Sequence, residues 1–370
     1  MSTDRRRLLI NSASTIAIMG ASKFAAGQNL KNPWDDNTWF MPDESAKHRR
    51  TWMAFGANAR IWGDLLPFAR ANLALIANTI SKHEPVSMLV RPTERNIAAR
   101  MCDARVQLIE APLDDLWIRD TGPTFVVNQA GELGGIDLNF NGWGKKQSHG
   151  NDARLARLVN RNANAQHIET ELVGEGGGIE VDGHGTAVVT ESCFINRNRN
   201  PGLRKRDCET LLKNLLGLRK IIWLPGIRGQ DITDGHTDFY ARFARRGVVI
   251  AGLETDRESF DYDVTREHLR ILKNARDAHG RKLQVITLES PSRIRRKLET
   301  EDFAAGYINY YVTNGAVIAP EFGDERTDSK CNAVLRTLFP DRKIVQLNID
   351  AIAAGGGGIH CATQQEPLHG

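Results

Sequence analysis

From about residue 93 onward the chain alternates between two kinds of stretch. In one, apolar residues recur every three or four positions, the period of a helix packed on one side. In the other, several apolar residues stand together, as in a strand buried on both faces. The pattern predicts a helix over about 93–103 leading to a strand from Arg105 to Glu110, and a helix over about 152–162 leading to a strand from His167 to Val173. It then predicts helix Asp207 to Leu216 before strand Lys220 to Leu224, helix Thr265 to Ala278 before strand Leu283 to Leu288, and helix Asp328 to Phe339 before strand Lys343 to Asn348. Strand ends recur five times, about every 50 to 65 residues, which marks a repeat architecture even where residue identity between units has vanished. If five such α/β units close around an axis, loops from equivalent positions meet at one central place. No linker, charge block or low-complexity run interrupts the chain after Pro33, so residues 33–370 are expected to form a single catalytic domain. The opening of that part, from Met41 to Gly63, is rich in Trp and polar residues; Trp39, Trp52 and Trp62 suit either a pocket wall or ordinary core.

Composition narrows the class. Of 370 residues 41% are hydrophobic and 25% charged, and no apolar run reaches the ~18 residues of a membrane span, so a soluble globular protein is expected. Residues 1–27 have a different character. Arg5, Arg6 and Arg7 form a basic start, Leu8 to Phe24 a mildly apolar middle, and Ala25-Ala26-Gly27 a small-residue end suited to cleavage. The segment resembles a bacterial twin-arginine export signal, which implies the Tat export machinery as a partner and a periplasmic location, with no membrane attachment after export. The whole chain carries a formal charge of +4, of which the leader supplies +3, so the remainder is nearly neutral. No basic stripe interleaved with aromatics points to nucleic acid. Whether the protein forms a homo-oligomer is left open by the sequence.

The five cysteines, at 102, 193, 208, 331 and 361, show no metal-ligand spacing, and an odd count in an exported protein leaves at least one thiol unpaired. Cys361 is the candidate, because it follows four glycines that let the backbone bend and a substrate come close. The other loops supply partners. The first, DDLWIRDTGPTF, holds Asp120; the second, GEGGGIEVDG, holds Glu175; the third, DITDGHTDFYARF, holds His236 and Asp238. The fourth, ESPSRIRRKLETED, holds no evident chemical group. His236 and Asp238 are two residues apart, and on a strand both would point to the same face. His-x-Asp also suits a metal, but His184 or His360 would have to be recruited without any helical His pair, so no metal is expected.

Carboxylates around a thiol raise its pKa, so the group makes chemical sense when the substrate is a cation. A guanidinium is planar and offers paired N–H donors, which two carboxylates can hold while its central carbon stays open to attack. Asp120, Glu175 and Asp238 are candidates for that grip. His236 is the candidate to protonate departing ammonia and then activate water, since an ordinary pKa of ~6.5 serves both directions near neutrality.

The segments WIRDTGPTF, GEGGGIEVDGHGT, TESCFINRNRNPG, TDGHTDFYARF and GGGGIHCATQQEP, with the opening from MPDE to TWM, resemble the agmatine deiminase and bacterial peptidylarginine deiminase family over essentially everything from residue 39 onward. The resemblance implies the pentein fold, a five-bladed α/β propeller with its site on the axis, and no metal or organic cofactor. It implies Cys361 as nucleophile, His236 as acid and base, Asp120 and Asp238 as guanidinium-binding carboxylates, Glu175 as an additional acid, and Trp117 and Trp143 against the substrate. The implied reaction passes through a covalent thiouronium on Cys361 to a ureido product. One position departs from the pattern: agmatine-type deiminases typically carry Asn just before Ile-His-Cys, where this chain has Gly358. His360 is expected to orient or pack. LNFNGWGKK resembles the agmatine branch and no arginine pair is present there, which favours agmatine over a peptide's C-terminal arginine. Amidino transfer, and a non-catalytic periplasmic receptor for guanidines or polyamines, remain alternatives.

Overall fold

The computed structural model describes residues 38–369, so the leader expected over 1–27 lies outside the described residues. In chain order the strands are β1 (His48–Phe55), β2 (Val86–Val90), β3 (Val106–Glu110), β4 (Thr124–Val127), β5 (Leu133–Asp137), β6 (Gln166–Glu169), β7 (Ile179–Val181) and β8 (Thr186–Thr190). They continue as β9 (Lys220–Leu224), β10 (Ala241–Arg245), β11 (Val248–Leu253), β12 (Gln284–Glu289), β13 (Tyr311–Val312), β14 (Ala316–Glu321), β15 (Lys343–Asn348) and β16 (Gln364–Pro367). They form five sheets. Four repeat one plan, β4-β5-β6, β7-β8-β9, β10-β11-β12 and β13-β14-β15: an antiparallel hairpin, then a helical crossover that brings the third strand parallel to the second. The fifth, β16-β1-β2-β3, borrows its antiparallel strand from the end of the chain and adds one further parallel strand.

The apolar runs follow from this plan. The middle strand of each blade is flanked on both sides, and TAVVT of β8 and Ala316–Pro320 of β14 are buried throughout. Each crossover helix covers its sheet with one stripe. Helix Glu325–Leu338 turns Thr327, Cys331, Leu335 and Leu338 inward, spacings of four, four and three, and Asp324 caps it by accepting the Arg326 N–H at 3.2 Å.

All five predicted helix–strand pairs are present, with shifted ends. The third-blade crossover runs Asp261–Asn274 rather than 265–278, and the next Glu325–Leu338 rather than 328–339. The strand expected to reach Val173 stops at Glu169, because side chains take over its backbone groups. Asn139 donates to the Thr170 and Leu172 carbonyls at 2.7 and 3.1 Å, and Asn200 pairs with both the N–H and C=O of Val173 at 3.0 and 2.8 Å.

The antiparallel strands stand innermost. Arg242 on β10 donates to Glu180 on β7 and to the Tyr310 carbonyl beside β13, each at 2.8 Å, and Gln364 on β16 donates to the Pro123 carbonyl beside β4 at 2.7 Å. Side chains from successive blades thus meet around the axis. Among the described residues no helix is long and apolar enough to cross a membrane.

Candidate active site

The residues singled out in the loops lie three to five positions before an innermost strand: Asp120 before β4, Glu175 before β7, His236 and Asp238 before β10, and Cys361 before β16. Entering the ring at the same end, they converge. Gly177 measures how closely. A Cβ there would stand 2.6 Å from His236 Nδ1, 2.9 Å from Asp120 Oδ1 and 3.2 Å from Asp238 Oδ2, so only glycine leaves room for the three side chains.

Asp120 sits on the short turn Ile118–Thr121. Its Oδ2 accepts the Trp143 indole N–H at 2.9 Å and its Oδ1 the Gly177 N–H at 3.1 Å. Burial, with Glu175 and Asp238 nearby, pushes its pKa up to about 6 against the opposing pull of His236. Trp143 itself is buried and has φ +54°, a left-handed conformation uncommon for a non-glycine residue, and packs edge-on against Phe140.

His236 and Asp238 do not lie on a strand, as their spacing suggested. His236 is extended and Asp238 is the middle residue of a tight turn, Thr237–Phe239, yet both face the axis. His236 Nε2 is 3.2 Å from Glu175 Oε2 and Nδ1 is 3.7 Å from Asp120 Oδ1. Burial opposes its charged form, but Asp120, Cys193 and Glu175 outweigh that and hold the imidazolium well above the ordinary histidine range.

Glu175 does not point at the place where a substrate would sit. Its two oxygens accept from Arg199 Nε at 2.8 and 2.9 Å, its Oε2 stands behind His236, and Cys193 Sγ approaches at 3.4 Å. Arg199 is held further by Asp234 and the Thr233 carbonyl, both at 2.8 Å. Burial raises the Glu175 pKa, but Arg199 and His236 prevail and keep it below the usual value. Glu175, Cys193 and His236 are also close enough to share a metal ion, but the positive charge such a donor set would seek is already supplied by Arg199.

Asp238 Oδ2 accepts from His360 Nδ1 at 2.7 Å, while the other His360 nitrogen lies 2.8 Å from Glu44 Oε2, so His360 spans two carboxylates and orients Asp238. Arg119 and Arg242 surround Glu44. Asp238 Oδ1 is buried and has no hydrogen-bond partner among the described residues. Cys361 Sγ lies 3.6 Å from Asp238 Oδ2. Burial, then Asp238 and Asp120, push the thiol well above its ordinary pKa.

The glycines before Cys361 serve close packing more than bending. Only Gly356 has a positive φ, at +86°. A Cβ at Gly355 would come 2.3 Å from the Trp62 ring, and one at Gly357 2.3 Å from the Trp117 ring. The loop therefore lies flat on two indoles. These indoles, with Trp143, Phe239, Asp120 and Cys361, line a cavity of about 280 Å³. Its charged wall residues are Asp115, Asp120, Asp231 and Asp302, with no Lys, Arg or His among them. Of the three opening tryptophans, Trp62 lines this cavity and Trp52 is buried core, while Trp39 packs, partly buried, against the apolar core that contains Val126, Ile136 and Leu216.

The fourth blade is not silent either. Asn309, two residues before β13, places its amide 3.3 Å from Cys361 Sγ. Sequence reasoning also missed Arg199 and Cys193. Asn309 lies two residues before its innermost strand, nearer than the three to five of the other loop residues, and its apolar surroundings did not set it apart.

Five repeated blades around an axial thiol, imidazole and pair of carboxylates define a pentein of the guanidine-modifying kind. Residues 40–367 match the model of the Porphyromonas-type peptidyl-arginine deiminases, and the chain belongs to that family. A Streptomyces coelicolor protein is 40% identical over 338 residues, covering 89% of this chain and 99% of its own. The agmatine deiminase of Stutzerimonas stutzeri is 36% identical over 353 residues, covering 89% and 95%. The solved agmatine deiminase of Enterococcus faecalis superposes with a TM-score of 0.84 at 30% identity, covering 89% of this chain and 96% of that one.

Proposed function

We propose that the protein hydrolyses agmatine to N-carbamoylputrescine and ammonia, with Cys361 as nucleophile. The observation that carries this is the unpartnered, buried Oδ1 of Asp238, a carboxylate whose Oδ2 lies 3.6 Å from Cys361 Sγ, beside a cavity lined by Cys361 and Asp120 whose charged wall residues are all carboxylates. A buried acceptor without a donor is costly, and a guanidinium N–H satisfies it. The planar guanidinium lies between Asp120 and Asp238. Its charge offsets the two carboxylates that raise the thiol pKa, so the substrate itself favours the thiolate.

Sulfur attacks the guanidino carbon, and His236, held as imidazolium, gives its proton to the departing nitrogen. Ammonia leaves and the carbon stays bonded to sulfur as a thiouronium. Neutral His236 then takes a proton from water as the oxygen attacks. The C–S bond breaks, thiolate returns, and the remaining O–H proton passes to solvent as the ureido carbonyl forms. Glu175 and Arg199 hold His236 in place for both proton transfers.

Substrate choice follows from the tail. The ammonium of agmatine meets the partly exposed Asp231 and the exposed Asp302 on the cavity wall, whereas the carboxylate of a C-terminal arginine finds no cation there. The test is incubation of the protein with agmatine, free arginine and a peptide ending in arginine, measuring ammonia and ureido product. Agmatine is expected to turn over fastest. Preference for the peptide refutes the tail assignment, and release of the substrate's alkyl amine with a new guanidine on an added acceptor amine, without ammonia or ureido product, points to amidino transfer. Cys361→Ser is expected to abolish turnover while agmatine still binds; retained turnover removes the nucleophile. For location, the Arg5–Arg7 leader supports export to the periplasm, and an intact Met1 or Ser2 terminus on protein recovered there overturns cleavage of the leader.

A further inference from the structure

Cys361 poses a difficulty that the groups above leave unsolved. Its sulfur is buried beside two carboxylates, and neither the imidazole of His236 nor any arginine is among its hydrogen-bond partners. A thiolate needs a donor there before and after the substrate is present. Asn309 is fully buried and comes from the fourth blade, whose loop otherwise brings no group to the sulfur.

The orientation of its amide is determined by its neighbours. Oδ1 faces two backbone donors, the N–H of His360 at 2.9 Å and of Cys361 at 3.3 Å, so it must be the oxygen. Nδ2 is then left facing Cys361 Sγ at 3.3 Å, with the Asp238 carbonyl at 3.4 Å as its second acceptor. The peptide of Asn309 itself accepts the His360 N–H at 3.2 Å, tying the same two segments a second time. Gly358 fits this arrangement. A Cβ at that position would stand 2.3 Å from Asn309 Oδ1, so the glycine leaves open the volume the amide fills.

We propose that Asn309 is the thiolate donor of this enzyme: its Nδ2–H stabilises the anionic sulfur of Cys361, while its Oδ1 fixes the nucleophile loop in the position where that bond can form. The inference rests on Cys361 being the nucleophile and adds the group that makes its anion accessible in a carboxylate-rich site. No atom is transferred; the amide keeps its proton throughout, and the sulfur gains an N–H contact that strengthens as charge develops on it.

Two variants separate the donor from the scaffold. Asn309→Asp keeps an oxygen toward the two backbone N–H groups but replaces the donor to sulfur by a carboxylate whose charge itself raises the thiol pKa, whereas Asn309→Ala removes donor and acceptor and adds no charge. The readout is the pH dependence of Cys361 alkylation by iodoacetamide in the absence of substrate, with Cys361→Ser protein subtracted for the other four cysteines. In Asn309→Asp the apparent thiol pKa is expected to rise by on the order of 1–2 units. Its kcat for agmatine is expected to fall by on the order of 10–100-fold with a smaller change in KM, at an unchanged melting temperature. In Asn309→Ala, where no charge is added, the apparent thiol pKa is expected to rise as well and the loop to be more open to protease; a rise confined to Asn309→Asp comes from the added carboxylate alone and overturns the proposal. An alkylation profile for Asn309→Asp that coincides with the unsubstituted protein overturns the proposal, even if Asn309→Ala is inactive. Because alkylation needs no substrate, a wrong substrate assignment leaves this result intact, and a Cys361→Ser protein that still turns over agmatine refutes the nucleophile instead.

Discussion

Replacing Glu175 by Gln tests how the site keeps His236 charged. The change preserves shape and at least one hydrogen bond but removes a full negative charge 3.2 Å from His236 Nε2. Coulomb's law with an effective dielectric constant of about 20 gives ~5 kcal/mol for two unit charges at that separation, a ceiling that burial and the neighbouring Arg199 reduce. Measured neighbours at this range move a pKa by about 1–3 units, or ~1.4–4 kcal/mol. The sign is fixed, because the folded value is raised by Asp120, Cys193 and Glu175 against burial, so deleting one of the raising charges lowers it. In a profile of log kcat/KM against pH, the alkaline limb marks loss of the imidazolium and the acid limb formation of the thiolate, each belonging to the coupled pair. Glu175→Gln is therefore expected to move the alkaline limb downward by on the order of 1–3 units and leave the acid limb nearly where it was. Ammonia release from agmatine, followed across that range, is the assay. Arg199 keeps Asp234 and the Thr233 carbonyl, so the variant is expected to stay folded, which a thermal melt checks. An alkaline limb that stays put or rises refutes the role given to Glu175 and restores it to the grip on the substrate.

Trp143→Phe removes the only side-chain donor to Asp120 Oδ2 among the described residues and is expected to lower kcat/KM for agmatine by on the order of 10–100-fold, with KM carrying most of it; equal kinetics would show that the indole N–H is idle. Arg199→Met removes the arginine shared by buried Glu175 and Asp234, leaving Glu175 to His236 and Asp234 to Lys146, and is expected to cost up to about 3–5 kcal/mol, read from the urea midpoint at constant slope. Gly357→Ala drives a methyl into the Trp117 ring and is expected to destabilise the loop by ~1–3 kcal/mol while raising KM, seen in steady-state kinetics beside a thermal melt.

Much of the fold was visible in the chain because its period is simple. A middle strand buried on both faces has to be an apolar run, as Ala316–Pro320 is, and a crossover helix covering one sheet has to show a stripe such as Thr327, Cys331, Leu335 and Leu338. The ends were less visible, since Glu169 closes its strand only because Asn139 and Asn200, 30 residues distant on either side, claim the next carbonyls. Cys361, His236, Asp238 and Asp120 could be picked out because each is a reactive or charged side chain in a loop with glycine nearby. Glu175 was found but given the wrong neighbour, because its partner Arg199 lies in NRNRNPG, which looks like a solvated turn until the fold buries it. Asn309 stayed hidden inside GYINYY, a segment that looks like core and is core, apart from one amide turned toward the sulfur. Trp143 needed coordinates as well, for its backbone conformation is one that no local preference would suggest.

The pairing of β16 with β1 bears on when this protein becomes competent. The sheet β16-β1-β2-β3 lacks its antiparallel strand until β16 has been synthesised, more than 300 residues after β1, and Leu368 then ties its N–H to the Lys47 carbonyl at 2.7 Å. Cys361 lies three residues ahead of that closing strand, so the thiol is seated by the same event that shuts the ring. A chain still emerging already holds the carboxylates and the imidazole, and it can carry out no chemistry with them. Competence arrives with β16, and a molecule lacking that strand would lose its nucleophile's seat and its ring closure together.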